Sequence, residues 1–100
     1  MDIPGRLVLL GHPVSHSLSP KMHNAALASA GIDLRYEALD VAPSAFERVL
    51  EGLRAQRAAG NVTVPHKERM FAACDTLTSL AKRVGAVNVF WTDASGQLVG

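Results

Sequence analysis

The sequence has little cysteine, no excess of charge of either sign and no long apolar run. Cys74 is the single cysteine, which excludes an internal disulfide and a cysteine-based zinc site and suits a reducing cytoplasm. Ten basic and nine acidic residues give a net charge of +1 without a basic cluster, so the charge pattern of a nucleic-acid-binding protein is missing. The first apolar run is only four residues long, too short for a signal peptide or a membrane span. We therefore expect a cytoplasmic protein without a nucleic-acid or membrane partner.

Phosphate loops and metal-ligand spacings are missing as well. Neither GxGxxG nor GxxxxGK[ST] occurs, so this chain offers no recognisable loop for a dinucleotide or nucleotide. His12 and His16 are four residues apart, but Pro13 between them prevents the regular helix that a metal-binding pair with this spacing uses. The sequence thus predicts no metal site and no cofactor-binding residues in this chain. His23 and His66 are expected to form local hydrogen bonds or to flank a crevice.

Hydrophobic patterning predicts a chain in which strands and helices alternate. With the two short helical pieces between the third and fourth strands counted as one, the order β, α, β, α, β, α, β, β is typical of an α/β domain with a mostly parallel sheet, helices on both faces and a hairpin at its end, which makes a three-layer α/β/α domain. We expect strands over residues 7–10, 33–39, 61–64, 86–92 and 97–100, and helices over residues 20–30, 43–60, 68–74 and 78–84. The strand over residues 33–39 alternates apolar and polar residues, which indicates a position near the edge of the sheet.

Two of these helices carry an apolar stripe that we expect to be buried. In the second helix the stripe has the i, i+3, i+4, i+7 spacing and comprises Phe46, Val49, Leu50 and Leu53. In the first helix it comprises Met22, Ala25, Ala26 and Ala30. The second helix is expected to end at Gly60, because glycine is a common helix stop.

The first motif that could carry chemistry is GHPVSHSLSP, residues 11–20. Ser19 is a good N-cap and Pro20 a good first helical residue, since the missing N–H of proline would have no partner there in any case. Ser17 and Ser19 then lie beside free backbone N–H groups at the positive end of a helix, where a carboxylate or phosphate can bind. The alternative is that both serines only cap and solvate a turn.

The second motif is NVTVPHK, which places an amide, a hydroxyl and an ammonium close together. Asn61 and Thr63 are two residues apart, so they point to the same face of a strand, and Lys67 follows Pro65 where the strand ends. Such a set suits a ligand with several hydroxyl groups. Lys67 is either an ordinary solvated lysine or, at the edge of a crevice, a group that donates and accepts protons.

The third motif is GAVN, in which Asn88 is expected inside the fourth strand. A polar amide among valine, phenylalanine and tryptophan is expected to be buried or half-buried and needs hydrogen-bond partners, from a backbone loop or from a ligand hydroxyl. In parallel sheets, ligands bind beyond the carboxyl ends of the strands, where the first two motifs also fall.

Taken together, the three motifs closely resemble the amino-terminal substrate domain of the shikimate dehydrogenase family. The resemblance covers residues 7–100 and implies an NADP-dependent oxidoreductase that interconverts 3-dehydroshikimate and shikimate in aromatic amino acid biosynthesis. It implies that Ser17 and Ser19 bind the substrate carboxylate. It further assigns Asn61, Thr63 and Asn88 to ring hydroxyls, and Lys67 to acid/base catalysis.

The resemblance also sets limits on what this chain does alone. The family pairs its lysine with an aspartate of a DNTDG motif that follows a glycine like Gly100, and binds NADP mainly in a separate Rossmann domain. We therefore expect residues 1–100 to be one substrate-binding domain, truncated before the cofactor domain and inactive by itself. The full-length protein is expected to be a monomer or a homodimer. Two alternatives stay open, namely a non-catalytic module that binds a small hydroxy acid and a family member specific for quinate.

Overall fold

A computed structural model describes residues 4–14 and 17–100. Within these residues there are five strands and four α-helices, with a short 3-10 turn at Pro43–Ala45 before the second helix. In chain order the elements are β1 (Arg6–Gly11), α1 (Ser19–Ser29), β2 (Tyr36–Asp40), α2 (Phe46–Ala55), β3 (Ala58–Val62), α3 (Lys67–Ala73), α4 (Ser79–Val84), β4 (Val89–Thr92) and β5 (Leu98–Val99). The predicted α/β class is confirmed.

The five strands form one mixed sheet in the order β2-β1-β3-β4-β5. The first three strands are parallel, and β4 and β5 each run antiparallel to their neighbour. The predicted position of β2 at an edge of the sheet is confirmed. Because β1, β2 and β3 are parallel, their carboxyl ends meet at one edge of the sheet, which we call the carboxyl edge.

The two faces of the sheet carry separate apolar clusters. On one face, Val8 and Leu10 of β1 pack with α2, α3 and α4 in the main core. On the other face, Leu9 packs with Tyr36 of β2 and with Leu27 of α1. Alternate residues of β1 therefore serve different cores, as expected for a strand whose successive side chains point to opposite faces. Helices lie on both faces, as the sequence predicts.

The apolar stripe predicted for α2 is confirmed, whereas the one predicted for α1 is wrong. Phe46, Leu50 and Leu53 are buried, and Val49 packs partly against them. Helix α1 has no buried residue, and Met22 is 68% exposed. Its apolar contact with the sheet is instead made by Leu27, which packs beside β1 and β2.

The prediction that the second helix ends at Gly60 is wrong. Helix α2 ends at Ala55, and Arg57 has φ 54°, a left-handed conformation that takes the chain out of the helix. Strand β3 then begins at Ala58, three residues earlier than expected, and Gly60 lies in its middle. A Cβ at this position would overlap the carbonyl oxygen of Val8 on β1, so glycine is required here by close approach of two backbones.

Candidate functional site

Backbone hydrogen bonds tie the carboxyl ends of the parallel strands to the loops that follow them. The N–H of Val41 donates to Gly11 O (2.9 Å), and the N–H of His12 donates to Val64 O (3.1 Å). The N–H of Thr63 donates to Leu10 O (2.8 Å). Residues beyond the ends of β1, β2 and β3 are therefore held at fixed positions relative to one another.

Gly11 brings the first motif close to the second. A Cβ on Gly11 would lie 2.5 Å from Cγ2 of Thr63 and 2.7 Å from Cγ1 of Val14. These contacts are far shorter than van der Waals distances, so only glycine lets the half-buried Thr63 pack against the end of β1.

Helix α1 begins at Ser19, and its N-cap position belongs to Leu18, so the prediction that Ser19 is the N-cap is wrong. A cap-like bond comes instead from the serine two residues earlier, because the N–H of Ser19 donates to Oγ of Ser17 (3.2 Å). Both serines are half-buried beside the start of α1, where the resemblance puts a carboxylate. His16 of the same motif lies outside the described residues.

Lys67 is the first residue of α3, and its side chain is exposed. It has no ion-pair partner within the part of the chain that the structure describes. Its carbonyl accepts a hydrogen bond from the N–H of Val87 (3.0 Å), which ties the start of α3 to the third motif. Lys67 is therefore held by its backbone while its ammonium group is accessible.

His66, next to Lys67, is fully buried. Its ring stacks on Phe46 with 4.8 Å between ring centroids, and its Nε2 lies within hydrogen-bond distance of the carbonyl oxygen of Val41. Nδ1 is buried without a partner among the described residues. Burial lowers the pKa of His66 below its ordinary value, as do the nearby charges of Arg69 and His12. The neutral ring with its proton on Nε2 is the form that suits this position.

The prediction that Asn88 lies inside the fourth strand and is at least half-buried is wrong. Strand β4 begins at Val89, and the side chain of Asn88 is exposed. Its backbone is nevertheless part of the sheet, because its carbonyl accepts a hydrogen bond from the N–H of Val62 (2.9 Å). The exposed side chain lies beside a cavity that Lys67 and residues of α4 also line.

Three of the six predicted site residues line two cavities. A cavity of about 420 Å³ is lined by Lys67 and Asn88, which the structure thus brings together. A second cavity of about 630 Å³ is lined by Asn61 together with Tyr36 and His23. Val89 and Trp91 line both cavities, so the two spaces adjoin. Ser17, Ser19 and Thr63 line neither cavity.

Tyr36, His23 and Asn24 form a cluster around Asn61 that sequence reasoning did not find. The hydroxyl of Tyr36 donates to Oδ1 of Asn61 (2.8 Å), and the ring of His23 stacks on Tyr36. Asn24 binds both backbone groups of Tyr36. One signal was present, since His23 follows Ser19 by four residues and therefore lies on the same side of the helix.

Neither a metal site nor a membrane span emerges from the part of the chain that the structure describes. Across residues 4–14 and 17–100, no three His, Cys, Asp or Glu residues are grouped so that they could hold a metal ion. The helices found there are too short or too polar to cross a membrane. His12 and Asp40, whose Nδ1 and Oδ1 atoms are 2.6 Å apart at the carboxyl edge, are a two-residue pair only.

Comparison with known proteins identifies the family. Residues 9–90 match the family model described as the shikimate dehydrogenase substrate binding domain. The NADP(+) shikimate dehydrogenase of Symbiobacterium thermophilum is 48% identical over 99 residues, covering 97% of this chain and 33% of the relative. The enzyme of the same name from Rubrobacter xylanophilus is 50% identical over 93 residues, covering 92% of this chain and 33% of the relative.

Solved structures agree with the sequence relatives. The crystal structure of shikimate 5-dehydrogenase from Thermus thermophilus, in complex with NADP(H) and shikimate, superposes with a TM-score of 0.88 at 42% identity. The superposition covers 95% of this chain and 36% of the Thermus chain. The chain thus spans about a third of the length of the relatives that it matches.

Proposed function

Since the chain belongs to the shikimate dehydrogenase substrate-binding domain family, we propose that it forms the substrate-binding part of an enzyme that interconverts 3-dehydroshikimate and shikimate with NADP. The observation that carries this proposal is the shared cavity of Lys67 and Asn88. It joins the proposed acid/base group to a proposed hydroxyl-binding amide. A backbone hydrogen bond between Lys67 and Val87 (3.0 Å) keeps the two motifs together.

Different polar residues of the carboxyl edge bind different groups of the hydroxy acid. Ser17 and Ser19 bind the substrate carboxylate at the start of α1, where hydroxyl groups and the positive end of the helix favour an anion. Asn61, Thr63 and Asn88 bind ring hydroxyls, because amides and hydroxyls both donate and accept hydrogen bonds.

Lys67 serves as the acid and base of the reaction. When a hydride reaches the ketone carbon of 3-dehydroshikimate, the C=O π electrons move onto oxygen, and the Lys67 ammonium donates the proton that converts this oxygen to a hydroxyl. In the reverse direction, the neutral amine takes the hydroxyl proton as the hydride leaves. The accessible ammonium at the start of α3 supports this role, since it can approach a substrate in the cavity.

NADP supplies the hydride acceptor and donor, and the described residues offer it no binding loop. No glycine-rich dinucleotide motif occurs in the sequence, and the chain spans only about a third of its relatives. We therefore assign cofactor binding to another part of the full-length enzyme. The 100 residues alone are expected to bind shikimate weakly and to turn nothing over. We also propose that the enzyme works in the cytoplasm, as a monomer or a homodimer.

The proposed activity is tested in the full-length enzyme by nicotinamide absorbance, with shikimate or quinate offered together with NADP or NAD. We expect shikimate with NADP to be the best pair. Lys67→Ala is expected to lower kcat by about 10²- to 10⁴-fold, the usual contribution of a general acid or base. Shikimate binding, measured by calorimetry, is expected to survive this substitution.

Lys82→Ala is the matched control, because Lys82 is another exposed lysine and lies on α4. It is expected to leave kcat unchanged. Turnover of quinate but not of shikimate would mean that quinate, and not shikimate, is the substrate. Shikimate binding without turnover of any pair would instead favour a non-catalytic binding module.

A further inference from the structure

The only tyrosine of the chain lies next to a proposed substrate-binding residue without lining the cavity of Lys67. Tyr36 is on the edge strand β2 and is paired with Leu7, whereas Asn61 is on β3 and is paired with Leu9. The Tyr36 side chain therefore reaches across β1 to place its hydroxyl 2.8 Å from Oδ1 of Asn61. Only 3% of Tyr36 is exposed, so this hydrogen bond is shielded from water.

Two residues of α1, Asn24 and His23, hold Tyr36 in place. The side-chain amide of Asn24 donates to Tyr36 O (2.9 Å), and its Oδ1 accepts from the N–H of Tyr36 (2.7 Å). The His23 ring stacks on the Tyr36 ring with 4.3 Å between centroids and 11° between planes. Nδ1 of His23 lies 2.9 Å from Ser19 O, which anchors the imidazole to the start of α1. A chain of contacts thus joins the proposed carboxylate-binding end of α1 to Asn61.

The hydrogen bond from Tyr36 decides which half of the Asn61 amide faces a ligand. A side-chain amide presents an oxygen acceptor on one side and two N–H donors on the other, and it can rotate to exchange them. With Oδ1 of Asn61 receiving the Tyr36 hydroxyl, the N–H donors are left for a ligand. Burial raises the pKa of Tyr36, which keeps its hydroxyl protonated and able to donate at neutral pH.

We propose that Tyr36, held by His23 and Asn24, is a positioning residue that orients the Asn61 amide so that it donates hydrogen bonds to substrate oxygens. This inference rests on the proposed function, since it assumes that Asn61 binds the substrate. The orientation of the amide explains why a hydroxyl or carboxylate oxygen of the ligand is recognised beside Asn61. A ligand group that carries only N–H donors would face the N–H donors of Asn61 without an acceptor, and it would therefore bind poorly.

A double-mutant cycle in the full-length enzyme tests the proposal, with KM and kcat for shikimate and with Kd from calorimetry. Tyr36→Phe is expected to raise KM and Kd about tenfold, the loss of roughly one oriented hydrogen bond, while kcat changes less than twofold. In the Asn61→Ala background, the same substitution is expected to change KM and Kd less than twofold, because Tyr36 acts through Asn61.

Ser95→Ala is the control, since it removes a hydroxyl that donates to Oδ1 of Asp93 (2.6 Å) in the turn before β5 and lines neither cavity. It is expected to leave KM, Kd and kcat unchanged. An equal effect of Tyr36→Phe in both backgrounds, or none in either, overturns the inference while leaving the proposed activity intact. Wild-type enzyme that binds shikimate without turnover contradicts the proposed activity, but the Kd cycle still decides the role of Tyr36.

Discussion

On the sheet face under α2, α3 and α4, thirteen residues of the described chain are buried in one continuous cluster, whereas the face under α1 buries three. We call the cluster of thirteen residues the thick cluster. Its buried residues come from every strand except β2, and they include Phe46 and Met70 from the helices. The cluster of three residues, which we call the thin cluster, does not extend over β3 and β4. A cavity of about 630 Å³ lies on that part of the sheet, beside Asn61. We conclude that the first face supplies most of the folding energy, while the second face and the carboxyl edge present the polar groups.

The largest effect is expected from a cavity in the thick cluster. Phe46 is 1% exposed, so Phe46→Ala is expected to lower the free energy of unfolding by about 3–5 kcal/mol through lost burial and a remaining void. Leu18 is 70% exposed at the start of α1, and Leu18→Ala is expected to change stability by about 0.5 kcal/mol or less. Urea unfolding, monitored by the fluorescence of the single tryptophan, Trp91, gives the free energy of unfolding of both variants. Similar losses for the two variants would contradict the division between the faces.

A second pair of variants tests the contact between β1 and β3. Gly60→Ala places a methyl group against the backbone of Val8 and is expected to cost about 1–3 kcal/mol, or more where the strands cannot separate. Gly52 of α2 has open space around it, so Gly52→Ala is expected to stabilise the helix by about 0.5–1 kcal/mol. The two substitutions are chemically identical, and thermal unfolding reports both. Stabilisation by Gly60→Ala would mean that the two strands do not approach so closely.

A smaller effect separates two valines at opposite levels of burial. Val62 lies in the thick cluster at 2% exposure, and Val62→Thr is expected to cost about 1–3 kcal/mol because the hydroxyl is buried. Val89 is 47% exposed on the open face, and Val89→Thr is expected to cost about 0.5 kcal/mol or less. Equal costs, measured by urea unfolding, would indicate that the open face is covered in solution.

The sequence was sufficient for the packed face and less so for the open one. The stripe of α2 has the helical spacing because its residues are buried together, so Phe46, Leu50 and Leu53 could be predicted. The stripe of α1 could not, because Met22 and three alanines lie on one side of a helix whose contacts with the sheet come from other residues, namely His23, Asn24 and Leu27. The register of β3 was missed because Gly60 resembles a helix stop, whereas its role is contact with Val8.

The motifs were sufficient to locate the candidate site in the sequence, but not to predict which side chains contact one another there. Motif spacing correctly put Asn61 in a strand and Lys67 beyond its end, but it wrongly put Asn88 inside a strand that begins only at Val89. The link from Tyr36 to Asn61 joins residues 25 positions apart across an intervening strand. Such a contact depends on strand order and register, which local patterns do not determine.

The smallest effect is a pH dependence that distinguishes the two stacked histidines. His66 stacks on Phe46 inside the thick cluster, and burial lowers its pKa in the folded state below the ordinary value of 6.5. As the pH falls below that value, the unfolded chain takes up a proton that the folded chain does not. Stability contributed by neutral His66 is therefore complete above pH 6.5 and declines below it, by at most about 1.4 kcal/mol per pH unit.

His66→Phe keeps a ring against Phe46 and is expected to remove this slope, although the loss of the bond to Val41 O lowers stability at every pH. His23→Phe, on the open face, is expected to retain the slope because His66 is still present. Urea unfolding between pH 5 and 8 compares the two variants with the wild type. A slope that persists in His66→Phe would place the proton uptake at another group. The contrast between the faces would then rest on packing alone, without the electrostatic cost of burying an imidazole.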